Sequence, residues 1–450
     1  MSTTAAPIRY YLTPELMPDA ATQAELERLA RLPELAHHVA VLPDVHRKAR
    51  NPSPTGTVIA TRNALVPRAV DTGINCGIRM LGSSVDVASL SVRHLDRLFA
   101  ELREAIPLAE QPREVLSRAE VTEILGDPAG FCRRRFGVDE VELGRIEDGG
   151  RVDCGTDDLE AIAASVPERA ARRGPRCFGT LGGGNHFLEL QEVVEILEPE
   201  AARLLGIERG KAVFMLHTGS RNLGSKTMKH FLERMTLTAP AGPAIQPLPV
   251  DSEEGTTFAR AIAGASHFGF ANRIAISAAL RAALRTTLSD PSLELPLLFD
   301  CGHVSIKRER WNGEWLWVHR HGASRALPPS RWDGDPVFAR IGQPVPIPGS
   351  MGHDSFIGVA AEGALEAYCS VNHGAGRQLD KPEAAARFTA AMVEDEMRSR
   401  NIRLYRYGSG DIAEQAPGAF KDISEVVRAM ATLKLARPVA RVTPVAVLKE

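Results

Sequence analysis

Ala212-Val-Phe-Met-Leu-His217-Thr-Gly-Ser-Arg221 is an apolar run that ends in a histidine and a glycine-containing turn. Five consecutive apolar residues predict a buried β-strand, with the histidine at its carboxyl end. Leu297-Leu-Phe-Asp300-Cys-Gly-His303 repeats this arrangement. Helical periodicity elsewhere in the chain alternates with such runs, so we predict a mixed α/β (α+β) fold.

Three further segments place a metal-capable side chain in a glycine-rich bend. They are Gly73-Ile-Asn-Cys76-Gly77, Gly182-Gly-Gly-Asn-His186-Phe187 and Ser370-Val-Asn-His373-Gly-Ala-Gly-Arg377. Glycine lets the backbone approach a phosphate or an ion closely, and imidazoles and thiolates supply ligands or a nucleophile. We therefore expect strand ends that converge on one site for metal-dependent chemistry on a phosphate.

Each segment also has an ordinary explanation when it is considered alone. A buried, unreactive thiol is the commoner state of a single cysteine such as Cys76. The turn after His217 is equally typical of a capped helix start. Asp300 either orients the ring of His303 or only closes a turn, and Glu189 either binds a base edge or lies on a solvated face. The chemical interpretation depends on the five segments together.

Composition sets limits on the class of protein. The 450 residues are 44% hydrophobic and carry a formal net charge of −2, so binding a polyanion would require a local basic patch. The six cysteines show no CxxC spacing, which favours reduced thiols and a cytoplasmic location. We find no signal peptide and no apolar run of the roughly 20 residues that a membrane span needs.

The chain shows no linker, so we predict a single domain over residues 1–450. Residues 125–175 contain Arg133-Arg134-Arg135 and then an acidic stretch that is predicted to be rich in loops, and they indicate an insertion or a peripheral subdomain. The basic triplet either touches a phosphate backbone or forms a solvated face. Predicted helices cover residues 13–38, 90–106, 256–287 (one helix or two), 382–399 and 422–434, and residues 439–448 are predicted to close the chain as a strand.

The order of these motifs resembles the RtcB-type tRNA-splicing ligases. The resemblance rests on Leu-Pro-Asp44-Val-His46, Asn-Cys76-Gly, Gly-Gly-Gly-Asn-His186-Phe, His217-Thr-Gly-Ser-Arg, Pro-Gly349-Ser-Met, His373-Gly-Ala-Gly-Arg and Ala416-Pro-Gly-Ala-Phe-Lys421, and it covers about residue 40 to the end. It implies a single large RtcB-like domain with mixed sheets around a metal and nucleotide cleft. It also implies a GTP- and Mn²⁺-dependent enzyme that joins RNA 3′-phosphate or 2′,3′-cyclic phosphate ends to 5′-hydroxyl ends.

The resemblance assigns roles to the matching residues. His373 would carry the guanylate, and Asp44 matches an active-site aspartate. Cys76, His217 and His303 would hold one Mn²⁺, and Cys76 with His186 a second. Nucleotide contacts would come from Asn185, His186, Phe187, Leu188, Glu189, His303, Pro348, Gly349, Ser350, Met351, Ser355, His373, Gly374, Ala375, Gly376 and Lys449, and RNA or phosphate contacts from Arg221, Arg325 and Arg377.

Several positions depart from the family pattern. Gly73 stands where an aspartate that ligates the second metal is usual, and Asp71, two residues further back, would substitute for it only if the bend is rearranged. Val304 replaces an asparagine, and His321 replaces a lysine. Gln415 and Phe420 replace an acid and a tyrosine. Because lost carboxylate charge weakens a divalent site, these changes point to the second metal as the part most altered.

Three alternatives to full ligation follow from these departures. The chain could be a divergent paralogue that retains self-guanylylation, a metal-dependent phosphatase or phosphodiesterase, or a protein that only binds GTP or RNA ends. The family further implies an RNA substrate and an archease-like activator, and a monomer is the default expectation. The sequence does not identify the RNA.

Overall fold

The computed structural model describes residues 5–48, 51–238, 245–408 and 410–450. Within them the strands are β1 Ile8–Tyr10, β2 Val39–His46, β3 Thr55–Thr61, β4 Ala64–Leu65, β5 Gly77–Leu81, β6 Phe187–Ile196, β7 Ala212–Thr218, β8 Leu248–Pro249, β9 Leu297–Gly302, β10 Val304–Trp311, β11 Glu314–His321, β12 Ala323–Arg325, β13 Pro344–Ile347, β14 Ser355–Ala360, β15 Ser370–Asn372, β16 Arg403–Arg406 and β17 Ala436–Lys449.

The helices alternate with these strands along the chain. They are α1 Ala20–Ala30, α2 Val92–Ala105, α3 Arg118–Gly126, α4 Pro128–Phe136, α5 Glu140–Gly144, α6 Leu159–Ser165, α7 Glu168–Ala171, α8 Gly174–Cys177, α9 Pro199–Leu205, α10 Arg221–Thr238, α11 Glu253–Leu288, α12 Pro336–Ile341, α13 Lys381–Arg387, α14 Ala390–Ser399 and α15 Ile423–Thr432. The predicted mixed α/β class is confirmed.

Two large sheets form the centre of the fold. The larger has the order β13-β14-β17-β6-β7-β5-β9, with β16 paired in parallel to the second half of β17. The smaller has the order β1-β2-β3-β11-β10. Short pairs β12-β15 and β4-β8 complete the strands of the described residues. β5 pairs antiparallel with both β7 and β9, so the start of β5 lies beside the ends of its two neighbours.

One long helix, α11, supports the larger sheet. It runs unbroken for 36 residues and is buried along most of its length, so the predicted segment 256–287 is one helix rather than two. α2, α3, α4, α6 and α10 pack against it. None of the described helices combines the length and apolarity that a bilayer crossing requires, α11 included.

The segment 125–175 is helical where we predicted loops. α3, α4 and α6 share one hydrophobic core with α11 through Ile124, Phe131, Ile162 and Phe268. Two residues of the basic triplet form surface ion pairs, Arg133 with Glu140 and Arg134 with Glu123, as expected for a solvated face. Whether the segment is an insertion stays a prediction, and so does the single-domain assignment.

Two helix predictions were too long. In the segment 13–38 the α-helix is limited to α1, after a short 3₁₀ turn at Pro14–Leu16, because Asp19 accepts a hydrogen bond from the Thr22 amide and begins the helix there, while Pro33 follows its end. The segment 382–399 divides into α13 and α14. Phe388 is extended between them, and Thr389 caps α14 by accepting from the Met392 amide.

Candidate active site

A cleft of about 690 Å³ lies over the edge of the larger sheet and receives the strand ends that the sequence singled out. Its lining includes the four metal-capable side chains Cys76, His186, His217 and His303, together with His373. The predicted convergence of these segments on one site is therefore what the structure shows.

The antiparallel pairing of three strands explains the Cys/His cluster. Gly77 at the start of β5 pairs with Thr218 at the end of β7 and with Gly302 at the end of β9. Cys76, His217 and His303 are the adjacent residues, so register alone brings them together. The Cys76 Sγ lies 3.2 Å from His217 Nε2, which lies 3.3 Å from His303 Nε2. Among the described residues these three form a group whose ligand atoms all lie within 4.8 Å of one another.

His186 joins the cluster from the other side of β7. Phe187 at the start of β6 pairs with His217, which places His186 at the same sheet edge, with its Nε2 3.2 Å from Cys76 Sγ. Burial lowers the pKa of His186, His217 and His303 well below the usual value, so the three rings are neutral and carry free lone pairs. Neutral imidazoles are the form that ligates metal ions.

Burial raises the pKa of the Cys76 thiol to about 11, although the charges of Arg273, Arg221 and Lys48 act in the opposite direction. A thiol ligates a metal only after it loses its proton, so binding of a cation here would release that proton. One thiolate and two imidazoles form a donor set that suits a divalent transition metal. The residues present therefore fit one such ion at Cys76, His217 and His303.

Asp44 holds His373 in a defined orientation. Asp44 lies in β2 and is fully buried, and His373 directly follows β15. The Asp44 Oδ2 accepts hydrogen bonds from His373 Nδ1 at 2.6 Å and from the His373 amide at 3.1 Å. The His373 ring lies 4.7 Å from the His303 ring, centroid to centroid. The sequence left the role of Asp44 open, and the contact identifies it as the residue that positions His373.

A glycine and a lysine keep this pair in place. Gly376 has a φ of +73°, and a Cβ there would lie 2.3 Å from the Asp44 carbonyl oxygen, so only glycine allows this approach. Lys421 donates through Nζ to the carbonyl oxygens of Pro43 and Val45, at 3.2 and 2.6 Å. Burial lowers the Lys421 pKa to about 8. Sequence reasoning quoted Lys421 only as part of a motif and missed this contact.

Most of the predicted nucleotide-binding residues line the cleft. They are Asn185, His186, Phe187, Glu189, His303, Pro348, Gly349, Ser350, Met351, Ser355, His373, Gly374, Ala375, Gly376 and Lys449. The exception is Leu188, whose side chain is fully buried in the hydrophobic core behind β6, since neighbouring side chains on a strand face opposite ways.

A polar network forms one wall of the cleft. Gln191 Nε2 donates to Glu189 Oε2 at 2.7 Å and to Ser355 Oγ at 3.3 Å, and Ser355 Oγ accepts from the Gly349 amide at 3.1 Å. Burial raises the pKa of Glu189 to about 7. Lys449 donates to the His186 carbonyl oxygen at 3.2 Å, and burial lowers its pKa to about 8. β6, β14 and β17 thus jointly fix this wall.

The three predicted phosphate-contacting arginines have different surroundings. Arg377 lines the cleft, but its guanidinium donates to the Leu379 and Glu414 carbonyl oxygens. Arg221 Nη1 lies 3.1 Å from His186 Nδ1. Arg325 forms ion pairs with Glu147 and Asp148, at 3.4 and 2.5 Å, away from the cleft lining. The structure therefore brings Arg221 and Arg377 to the site and places Arg325 behind it.

Asp300 does not orient His303. Its carboxylate pairs with Arg79 at 2.9 Å and with Arg273 at 2.8 Å, in a fully buried ion-pair network. Arg273 also donates to the Asn75 carbonyl oxygen, which fixes the bend that carries Cys76. The sequence left open whether Asp300 orients the His303 ring or only closes a turn. The structure supports neither role as stated, since Asp300 anchors the strand ends from within the core.

Lys48 and Asp71 form a second pair in the cleft, of which the sequence analysis named only Asp71. Both line the cleft, and the Lys48 ammonium contacts the Asp71 carboxylate. Burial lowers the pKa of Lys48. Asp71 Oδ1 also accepts from the Thr72 amide at 2.7 Å. The only sequence signal for Lys48 was its position two residues after His46.

Fold and cleft together define a class of protein: a mixed α/β chain with a buried Cys/His metal-type cluster beside a histidine held by an aspartate. A model of the family described as "tRNA-splicing ligase RtcB" matches residues 25–450, so the chain belongs to the RtcB family.

Named relatives agree with this assignment. The chain is 32% identical over 462 residues to the tRNA-splicing ligase RtcB of Nanoarchaeum equitans (strain Kin4-M), covering 98% of this chain and 95% of the relative. It is 33% identical over 444 residues to the RNA-splicing ligase RtcB of Mycobacterium tuberculosis (strain ATCC 25618 / H37Rv), covering 94% and 100%. It is 33% identical over 393 residues to the tRNA-splicing ligase RtcB of Pyrococcus abyssi (strain GE5 / Orsay), where the match covers 83% of this chain but only 42% of the relative.

Proposed function

We propose that this protein is an RNA ligase that joins a 3′-phosphate or 2′,3′-cyclic phosphate end to a 5′-hydroxyl end, using GTP and Mn²⁺ through a guanylylated His373. The observation that carries the proposal is the 2.6 Å contact between Asp44 Oδ2 and His373 Nδ1, at the mouth of the Cys/His cluster. The ligase names of the relatives support the reaction class.

The contact to Asp44 prepares His373 as a nucleophile. Because the carboxylate accepts from Nδ1, the proton of the neutral ring lies on Nδ1, and the lone pair of Nε2 is available. When Nε2 bonds to phosphorus the ring becomes positively charged, and the adjacent carboxylate stabilises that charge. Asp44 thereby plays the part that an orienting carboxylate plays beside a catalytic imidazole.

The proposed ligation has three steps. His373 Nε2 forms a bond to the α-phosphorus of GTP, and the bond to the bridging oxygen breaks, which releases pyrophosphate. An oxygen of the RNA 3′-phosphate then attacks the same phosphorus and displaces His373. Finally the 5′-hydroxyl oxygen attacks the phosphorus of the RNA 3′-phosphate, the bond from that phosphorus to the oxygen of GMP breaks, GMP leaves, and the hydroxyl proton passes to water. A cyclic phosphate end must first be opened by water.

The site offers charge where these steps need it. A divalent cation held by Cys76, His217 and His303 would offset negative charge on the phosphate oxygens and polarise phosphorus. Glu189 presents carboxyl oxygens to the cleft, which suits the N–H donors of a guanine edge. Gly374 and Gly376 follow His373 and would let the backbone approach the phosphate closely.

The first experiment is incubation of the purified chain with α-³²P-GTP and Mn²⁺, followed by denaturing electrophoresis. We expect a covalent label that His373→Ala abolishes. The label should be lost in acid, because a phosphoramidate bond to histidine is stable only above acid pH. His94→Ala is the control, since His94 is a partly exposed histidine at the start of α2, outside the cleft lining. Label on the His373→Ala protein would contradict the proposal.

A second stage separates the proposal from its alternatives. Addition of RNA with a 3′-phosphate and a 5′-hydroxyl should discharge the label and yield joined RNA. A label that RNA cannot discharge would instead indicate a self-guanylylating paralogue. Hydrolysis of RNA phosphates without GTP would indicate a phosphodiesterase, and GTP binding without any label would indicate a binding protein.

A further inference from the structure

The side of Cys76 that faces His186 offers fewer ligands than the side that faces His303. Cys76 Sγ and His186 Nε2 lie 3.2 Å apart. The group of three or more ligand residues found among the described positions contains Cys76, His217 and His303 but not His186. A second ion next to His186 would therefore share Cys76 and have a single imidazole of its own.

No carboxylate in the described part of the chain completes that position. Gly73 carries no side chain, and a Cβ built on it would meet only the Cys76 Cβ, at 3.9 Å, so the space beside Cys76 is open. Asp71 is turned to other partners. Its Oδ2 contacts the Lys48 ammonium, and its Oδ1 accepts from its own neighbour Thr72. The residue that could have replaced a carboxylate at position 73 is thus already engaged.

Arg221 gives an independent reason. Its guanidinium Nη1 lies 3.1 Å from His186 Nδ1. A fixed positive charge therefore already lies against the imidazole that a second ion would need as a ligand.

The charge of Arg221 also acts on Cys76, and so does the charge of Lys48, which lines the cleft. A divalent ion that shared Cys76 with His186 would be repelled by both cations. The Lys48 side chain is 46% exposed, so it remains within reach of a substrate in the cleft.

We propose that this chain holds one divalent metal ion, at Cys76, His217 and His303, and that the Lys48 ammonium replaces the second cation as the partner of a substrate phosphate. The metal count depends only on the residues just described. The role of Lys48 toward phosphate rests on the proposed function, since it takes GTP as the substrate.

Metal counting tests the first half. The full-length chain is dialysed against excess Mn²⁺, and in parallel Co²⁺, and bound ions are counted by mass spectrometry and isothermal titration calorimetry. We expect one ion per wild-type chain, one in His186→Ala, and none at the same concentration in Cys76→Ala. Gly73→Asp combined with Lys48→Gln should bind two. Two ions on the wild-type chain, or none, would overturn the proposal. A double variant that still binds one would show that Gly73 and Lys48 are not the cause.

GTP affinity tests the second half without catalysis. In the His373→Ala background, where no covalent product forms, Lys48→Gln should weaken GTP binding about tenfold, as expected for the loss of a charge-assisted contact. Lys211→Gln is the matched control, because Lys211 also pairs with an aspartate, Asp86, at the opposite end of β7. Equal affinities in the Lys48 and Lys211 variants would overturn the role of Lys48.

The two proposals fail in different ways. If the wild-type chain binds one ion and GTP but never labels His373, the ligase function is wrong and the metal count stands. If His373 is labelled on a chain with two ions, the ligase function stands and the single-metal site is wrong.

Discussion

At the scale of single residues, the site depends on the contact between Asp44 of β2 and His373, which directly follows β15. Asp44 is fully buried, and its Oδ2 accepts hydrogen bonds from both the ring Nδ1 and the backbone amide of His373. The hydrogen bond from the amide fixes the backbone position of His373, and the hydrogen bond from Nδ1 fixes the tautomer of its ring. Rotation of the His373 ring would break this hydrogen bond and leave the buried Asp44 carboxylate without its ring donor.

We expect Asp44→Asn to retain the fold but to slow guanylylation of His373 by about 100-fold or more, within the usual range for general acid–base contributions. The amide can still accept from Nδ1, but it no longer carries the charge that stabilises the imidazolium formed during attack. The measurement is the single-turnover rate of label incorporation from α-³²P-GTP at saturating GTP.

The control is Asp96→Asn, because Asp96 is an exposed aspartate that pairs with Arg403 at 3.2 Å on the surface. Its rate should match the wild type. If Asp44→Asn labels at the wild-type rate with an unchanged circular dichroism spectrum, Asp44 does not act through charge.

At the scale of elements, the cluster is a product of strand register. β5 lies between β7 and β9, and the three strand ends that carry the ligands are held from below by α11. Arg273 of α11 is fully buried and donates to Asp300 Oδ1 at 2.8 Å and to the carbonyl oxygens of Asn75 and Thr218, at 2.8 and 3.0 Å. One side chain therefore joins β9 to the bend before β5 and the end of β7.

We predict that Arg273→Met lowers the free energy of unfolding by about 3–5 kcal/mol, the cost of breaking a buried ion pair from one side. The methionine fills part of the volume, but Asp300 loses one of its two arginines, and two carbonyl oxygens lose their donor. The measurement is equilibrium urea unfolding followed by tryptophan fluorescence and circular dichroism.

Arg97→Met serves for comparison, since Arg97 forms an exposed pair with Glu101 one helical turn away. Such a pair contributes at most about 0.5 kcal/mol. Arg273→Lys keeps the charge but loses the planar guanidinium, so its free energy of unfolding should lie between those of Arg273→Met and Arg97→Met. An Arg273→Met protein as stable as Arg97→Met would show that the network contributes little to folding.

At the scale of the molecule, the sequence predicted local features better than their assembly. Apolar runs and glycine turns are local, so the strand before His217, the helix at residues 90–106 and the convergence of the five segments were predicted correctly. The pairing of Asp44 with His373 joins positions 329 residues apart, and no local pattern encodes it. The resemblance assigned Leu188 to the nucleotide, whereas alternation along β6 turns its side chain into the core.

The last strand is central to the whole fold, although it lies at the end of the chain. β17 pairs with β6 on one side and with β14 and then β16 on the other. It buries Val442, Val447 and Leu448 completely, and it delivers Lys449 to the cleft. Without it the larger sheet divides into β13-β14 and β6-β7-β5-β9.

We therefore expect removal of residues 436–450 to abolish cooperative unfolding, because two unpaired strand edges and an exposed apolar layer remain. Differential scanning calorimetry should show no sharp transition, and size-exclusion chromatography should show aggregates. Removal of residues 1–10 is the matched truncation, since β1 is an edge strand that pairs only with β2 and is mostly exposed. That variant should unfold cooperatively at a modestly lower temperature. A sharp transition in the C-terminal truncation would show that the rest of the sheet folds without its central strand.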